Sequence, residues 1–263
     1  MTTVLMKESF SDRCRRILKK DGFGGFIKKG SRAVLRSLEP FRLAYYPIAS
    51  IQLTAATERH FTPEEAIVFA DKGLGGFIRP SQVHWEILNL AEIVKKLAPK
   101  TVLEVGTSRG GTFFIWARLA APDAHLISID LPGGENIWAY PRWKEPFYKR
   151  FASKGQHIDL LRGDSQKQEM VERLKKTLNG AQVDFLFIDA DHAYEGVKKD
   201  FELYAPFVRQ GGVIAFHDVA VHPPIANCGV TRLWAELKAE SKNYKEFIEK
   251  ADQGWGGIGV LMV

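Results

Sequence analysis

Residues 101–112, TVLEVGTSRGGT, constrain the fold of this chain more than any other stretch. Val102, Leu103 and Val105 have the apolar, β-branched character of a buried parallel strand, Gly106 to Gly111 form a tight turn, and residues 112–119 suit the helix that follows. Roughly twenty residues later an acid, Asp130, closes a second apolar run, HLISID. Glycines in the turn let the backbone approach a ligand closely, and the helix beyond offers unpaired N–H groups. The segment therefore predicts a parallel α/β sheet with a nucleotide-type site at its first crossover.

Downstream, helix and strand periodicity alternate in the manner of a doubly wound sheet. Strands are expected at 101–106, 125–130, 157–162, 184–189 and 212–217, and helices at about 112–120, 143–154, 167–178, 194–208 and 229–240. Residues 244–248 and 257–263 suit a closing antiparallel pair, and the second of these, GIGVLMV, is apolar throughout, as a strand covered on both faces would be. The expected fold is α/β: a doubly wound, Rossmann-like seven-stranded sheet of five parallel strands plus an antiparallel pair, with helices on both faces. Residues 80–263 would form this domain. Residues 1–79 would form a mostly helical N-terminal extension that packs on the domain or caps the site.

The charge is uneven. Residues 1–50 carry 11 Lys and Arg against 4 Asp and Glu, so the net +6 of the whole chain belongs to the extension. Such a segment suits either a solvated helical face or contact with an anionic membrane or nucleic acid, and the glycines that interrupt it favour the solvated face. Cys14 and Cys228 match no C-x-x-C spacing, which argues against a disulfide framework or a zinc knuckle. The start lacks an apolar leader core, and no apolar run approaches the roughly 18 residues of a membrane span. A cytoplasmic protein is expected.

A dinucleotide fold requires G-x-G-x-x-G, whereas Gly106 is followed by Thr107, Ser108 and Arg109 before Gly110, so a glycine is missing where a pyrophosphate needs it. Glu104, just before the turn, would repel phosphate and suits a ligand with an ammonium or sulfonium charge. The pattern E-x-G-x-x-x-G with an acid closing the next strand resembles the class I S-adenosylmethionine-dependent methyltransferases. That resemblance implies S-adenosylmethionine as cofactor, a binding loop of Gly106, Thr107, Ser108 and Gly110, and ribose hydroxyls bonded to Asp130. It also implies an adenine contact at Asp164 and Ser165, although either residue would serve equally as a helix cap.

A second pattern competes. Gly106 to Gly110 also matches G-x-S-x-G, the nucleophile elbow, with Asp189 and His217 later in hydrolase order and Ser108 as nucleophile. That elbow normally follows several strands and an oxyanion-hole segment, and residues 1–100 show neither.

The richest chemistry lies in 183–219, VDFLFIDADHAYEGVKKDFELYAPFVRQGGVIAFHDV. Asp189, Asp191 and His192 fall at one strand end and His217-Asp218 at the next, the arrangement of a metal site. Mg²⁺ prefers carboxylate oxygens, so Asp189 and Asp218 suit it, with His217 the unusual third ligand. This segment, together with PSQVHWEILNL, GVTRLW and QGWGGIGVL, resembles the metal-dependent O-methyltransferases, and more closely the branch of cephalosporin hydroxylase-like proteins and macrolide-sugar O-methyltransferases. In catechol-type and caffeoyl-type members an Asp ends the fourth strand, a Lys three residues on is the base, and an Asp-Asn pair ends the fifth. Carried over, these fall on Asp189, His192 and His217-Asp218. A His in place of Lys, with an unperturbed pKa of about 6.5, reaches its neutral form near neutrality without a large desolvation shift.

Other roles remain open for these groups: Asp191 or His192 as the cap of the helix entered at Tyr194, and His217-Asp218 as a loop anchor. His222 is expected in the loop over the site. His60, His84, His125 and His157 have no partner nearby in sequence and are expected to be structural. Residues 131–140, LPGGENIWAY, are expected to lie over cofactor and acceptor. The resemblance implies a small hydroxylated acceptor, a sugar or glycosylated metabolite foremost, and allows a homo-oligomer. The absence of an N/D-P-P-Y/F motif after the fourth strand argues against methylation of a nucleic-acid base, leaving ribose methylation or non-catalytic cofactor binding as alternatives.

Overall fold

A computed structural model describes residues 39–132 and 139–263, with side chains from residue 46 onward. Residues 1–38 of the basic segment, Cys14 among them, lie outside the described residues, as do 133–138 of the Gly-rich loop, Trp138 included.

Seven strands form one sheet in the order β3-β2-β1-β4-β5-β7-β6. They are β1 (Thr101–Val105), β2 (His125–Asp130), β3 (His157–Arg162), β4 (Val183–Ile188), β5 (Val208–His217), β6 (Tyr244–Phe247) and β7 (Ile258–Met262). The first five pair in parallel, whereas β7 runs antiparallel to both β5 and β6. This is the doubly wound sheet that the alternation predicts. Strands β1 and β4 are buried at every position, so their apolar runs are continuous rather than alternating. The order reverses between β1 and β4, and the carboxyl ends at that switch point are where such sheets bind ligands.

Among the described residues, eight α-helices accompany the sheet: α1 (Glu39–Thr57), α2 (Pro63–Val68), α3 (His84–Leu97), α4 (Gly111–Leu119), α5 (Glu145–Lys149), α6 (Gln168–Leu178), α7 (Tyr194–Tyr204) and α8 (Val230–Glu240). On one sheet face, Leu103, Val105, Ile127 and Leu161 pack with Met170, Leu174, Val197 and Trp234 of α6, α7 and α8. Two expectations shift. Helix α5 is only five residues, preceded by a 3-10 turn at Arg142–Lys144, because its aromatic side chains pack inward and Pro146 ends up in its first turn. Strand β5 begins at Val208 rather than 212, through an irregularity: Val183 pairs with Val208, yet Phe185 pairs with Val213. Arg209 within the irregular stretch bonds Asp184 across the strands.

The chain divides into two compact units, Met1–Ile48 and Ala49–Val263. In the first, residues 39–48 are helical. The second contains the rest of α1, where Ala49, Leu53 and Ala56 follow helical spacing and are buried. Arg118 of α4 and Ser153 both donate to the Thr57 carbonyl at its end. No helix among the described residues is long and apolar enough to cross a membrane.

Candidate functional site

The turn after β1 is shaped by close approach. Gly106 has φ +95°, and a Cβ there would fall 2.1 Å from the carbonyl oxygen of Asp189, so only glycine lets the ends of β1 and β4 run side by side. The Asp189 N–H donates to the Val105 carbonyl at 2.8 Å, and the Gly106 N–H to that of Ile129 at 2.9 Å. Gly110, at φ +83°, backs onto the Tyr148 ring, whose hydroxyl donates to the Ser108 carbonyl at 2.9 Å. Neighbouring strands and α5 thus hold the loop from both sides.

Asp130 fastens the loop from the end of β2. Its Oδ2 accepts the N–H groups of Thr107 at 3.1 Å and Ser108 at 2.6 Å. Burial pushes its pKa up to about 6, against the pull of those amides and of Arg162. A carboxylate offers about four acceptor sites, so two amides on one oxygen leave capacity for a ligand hydroxyl.

A cleft of about 430 Å³ opens beside this loop, within the range of small-molecule sites. It is lined by Gly106, Ser108, Asp130, Asp164, Ser165, Asp189 and Asp191 among the residues singled out by sequence, joined by Leu131 and Gln166. Glu104, Thr107 and Gly110 do not line it. Glu104 is fully buried, accepts from Trp116 Nε1 at 3.3 Å, and has its pKa pushed up to about 8 by burial. Thr107 turns its hydroxyl to Ser128 at 2.6 Å. Both support the cleft from beneath.

Asp164 does not cap α6. Its Oδ1 accepts the Gln166 N–H at 2.9 Å in a local turn, while Tyr204 holds the Ser165 carbonyl from α7. Asp191 makes the same kind of local turn ahead of α7, without capping it: its Oδ1 accepts the Ala193 N–H at 2.9 Å, and Gly196 leaves room for the carboxylate. His192 is thereby free to turn the other way.

On that side five groups converge. His192 Nδ1 lies 3.0 Å from Asp218 Oδ2, and its Nε2 3.6 Å from Asp189 Oδ1. His217 Nδ1 lies 3.3 Å from Asp189 Oδ1 and 3.5 Å from Asp218 Oδ2. His222 Nε2 approaches Asp218 Oδ1 at 3.2 Å, as expected of a residue over the site. Burial opposes charge on His217, yet the two carboxylates hold its pKa well above the usual value. The Asp189 contact likewise raises His192. Asp218 is held below the carboxylate range by His217, against the effect of burial.

Donor atoms of Asp189, His192 and Asp218 all lie within 4.8 Å of one another, and the two carboxylates fit a divalent cation with the imidazole beside it. His217 reaches the same two carboxylates from behind, and its Nε2 is buried without a partner. That nitrogen is the one a Ser108 nucleophile would have to reach, and it has no hydrogen-bond partner, so the hydrolase triad is not assembled.

Gln82 is the residue that sequence reasoning missed: its Nε2 donates to Asp189 Oδ2 at 2.7 Å. Its position two residues ahead of α3 carries no spacing signal. His84 pairs with Glu64, and His60 is exposed.

A family described as a methyltransferase domain matches residues 103–219. The uncharacterized protein R132 of Acanthamoeba polyphaga mimivirus is 33% identical over 169 residues, covering 62% of this chain and 72% of that protein. The uncharacterized protein y4gI of Sinorhizobium fredii (strain NBRC 101917 / NGR234) is 30% identical over 151 residues, 56% of this chain; the chain spans only 16% of that protein's length. Among solved structures, the O-methyltransferase TomG from Streptomyces achromogenes, involved in tomaymycin synthesis and solved with S-adenosylmethionine, has a TM-score of 0.52 at 16% identity, covering 78% of this chain and 91% of that one. An O-methyltransferase from Bacillus cereus, in complex with S-adenosylhomocysteine, has a TM-score of 0.50 at 17% identity, with 81% and 89% covered. At such identities the likeness is one of fold.

Proposed function

The chain belongs to the class I S-adenosylmethionine-dependent methyltransferases, and on that basis we propose that it methylates a hydroxyl oxygen of a small molecule, a sugar or glycosylated metabolite foremost, with a divalent cation assisting. The observation that carries this reading is the double position of Asp189. It lines the cleft beside the glycine loop and also belongs to the acid–imidazole cluster. A hydroxyl held at the cluster therefore lies next to a methyl group held in the cleft, and alignment is most of what such a transfer requires.

In this reading Asp130 accepts the ribose hydroxyls, and Asp164 and Ser165 flank the adenine. Asp189 and Asp218 would hold the cation, Mg²⁺ foremost. When bound it would acidify the acceptor hydroxyl and offset the carboxylate charge that raises the imidazole pKa values. Aliphatic hydroxyls are water-like acids, and bulk water has a pKa of about 15.7, so a base near neutrality needs such help. His192, held through Nδ1 by Asp218, takes the hydroxyl proton on Nε2. As the C–O bond forms, the C–S bond breaks and sulfur keeps the electron pair.

The acceptor would rest against two loops that run together: the Val219 and Ala220 N–H groups donate to the carbonyls of Gly257 and Gly256. These loops expose Val221, Ile225 and Trp255, an apolar and aromatic wall suited to the C–H face of a sugar ring. The test is transfer of labelled methyl from S-adenosylmethionine to a panel of glycosides and phenols, with and without Mg²⁺ after chelation. Labelled product that needs the metal supports the proposal. Cofactor uptake without transfer to any hydroxyl would sink it.

A further inference from the structure

The amino ends of β2 and β3, at the edge of the sheet opposite the cleft, carry a second group of donors that the proposed reaction does not use. His125 starts β2, His157 starts β3, and the two are register partners in the parallel ladder. Asp159 lies two residues beyond His157 and so projects to the same face. The backbone beneath them is fixed: the His125 N–H donates to the Lys100 carbonyl at 2.7 Å and the His157 N–H to that of Ala124 at 2.9 Å. The length of β2 separates this group from Asp130 by about 16 Å, at about 3.3 Å per residue.

Two imidazole nitrogens face one carboxylate oxygen. His125 Nε2 is 2.8 Å from Asp159 Oδ2, and His157 Nε2 is 3.2 Å from the same atom. The ring centroids are 5.2 Å apart. All three donor atoms lie within 4.8 Å of one another, and ligands at about 2.0–2.1 Å from a tetrahedral ion sit about 3.4 Å apart, so small rotations suffice to surround one. Two imidazoles and a carboxylate suit zinc-class ions, whereas Mg²⁺ prefers oxygen alone. Side-chain exposures of 25% for His125, 70% for His157 and 36% for Asp159 give an ion a path from solvent and leave room for a water ligand.

We propose that His125, His157 and Asp159 form a surface site for a divalent transition metal of the zinc class, independent of the cleft, which clips the edge strand β3 to β2. An edge strand is the part of a sheet least restrained by neighbours, so a cross-strand ligand set there stabilises the pairing that places Asp164 and Ser165 at the other end of β3.

The test counts bound Zn²⁺ on the chelator-stripped full chain by competition with a chromophoric chelator, for the parent, His157→Ala, Asp159→Asn and Asp218→Asn. His157→Ala and Asp159→Asn are each expected to bind one equivalent fewer than the parent, or to hold it at least about tenfold more weakly. Each should also lose that equivalent's share of the Zn²⁺-dependent rise in Tm. Asp218→Asn should keep it, which separates this site from the cluster beside the cleft. His157 is exposed, so its truncation leaves cooperative unfolding intact, as a melt without metal verifies. Equal uptake by the parent and both variants overturns the proposal and leaves a hydrogen-bonded His–Asp–His group. An equivalent lost in Asp218→Asn but not in His157→Ala overturns it as well.

Discussion

Glu86 and Asp218 accept hydrogen bonds from consecutive backbone amides of one loop: the Gly257 N–H reaches Glu86 Oε2 at 2.8 Å and the Gly256 N–H reaches Asp218 Oδ1 at 3.0 Å. Glu86 is fully buried on α3 and also takes the Glu249 N–H and the Gln253 side chain on Oε1. The loop that positions Asp218 is thus anchored on a helix far away in sequence. Glu86→Ala leaves the buried Gly257 N–H without an acceptor and removes that of two part-buried donors, and is expected to lower stability by about 1–3 kcal/mol, read as a shift in the urea midpoint at unchanged slope. Turnover should fall while S-adenosylhomocysteine affinity holds, since α3 supports the cluster rather than the cleft.

Asp130→Asn keeps a hydrogen-bonding side chain but removes the charge from the ribose bonds, each worth about 1.5–3 kcal/mol. An affinity loss of about 10–100-fold for S-adenosylhomocysteine is expected by calorimetry. An unaltered affinity would contradict the ribose assignment.

The raised pKa of Asp130, about 6, sets a direction with pH. Below it the protonated carboxyl loses acceptor capacity, so ligand affinity should weaken as pH falls through about 6, and this component should vanish in Asp130→Asn. The effect on stability has the opposite sign. A folded pKa above the unfolded 3.8 means the folded chain holds its proton longer, so this group's contribution declines as pH rises from about 4 to 6 and is then level. Unfolding free energies of parent and variant across that window check both signs.

His192→Ala is expected to reduce turnover by about 10²–10⁴-fold with cofactor affinity retained, because its ring faces the cluster and does not line the cleft. Single-turnover measurements separate this from slow product release. A variant as fast as the parent would remove His192 from the proton transfer.

Gly106→Ala places a methyl against the Asp189 carbonyl at a φ that alanine resists. A loss of about 2–4 kcal/mol is expected, with cofactor uptake abolished in whatever folds. Thermal melts with and without S-adenosylhomocysteine distinguish the two effects.

The strand–turn–helix at 101–119, the acid at Asp130 and the apolar seventh strand were legible because each is written in residues within a turn or two of one another. Buried parallel strands must be continuously apolar, a backbone passing within van der Waals reach of another must be glycine, and an acid at a strand end meets the next crossover. For the same reason Asp189, His192 and Asp218 were readable as strand-end chemistry. Their partners were not. Gln82 meets Asp189 across 107 positions, Glu86 meets Gly257 across 171, and His125 meets Asp159 across 34, with nothing in local spacing to announce them. Which histidine faces which carboxylate, and that Glu104 lies beneath the cleft rather than in it, followed only from strand order and register. Those are set by how whole faces pack against one another, a balance of many weak contacts that no short window of residues contains.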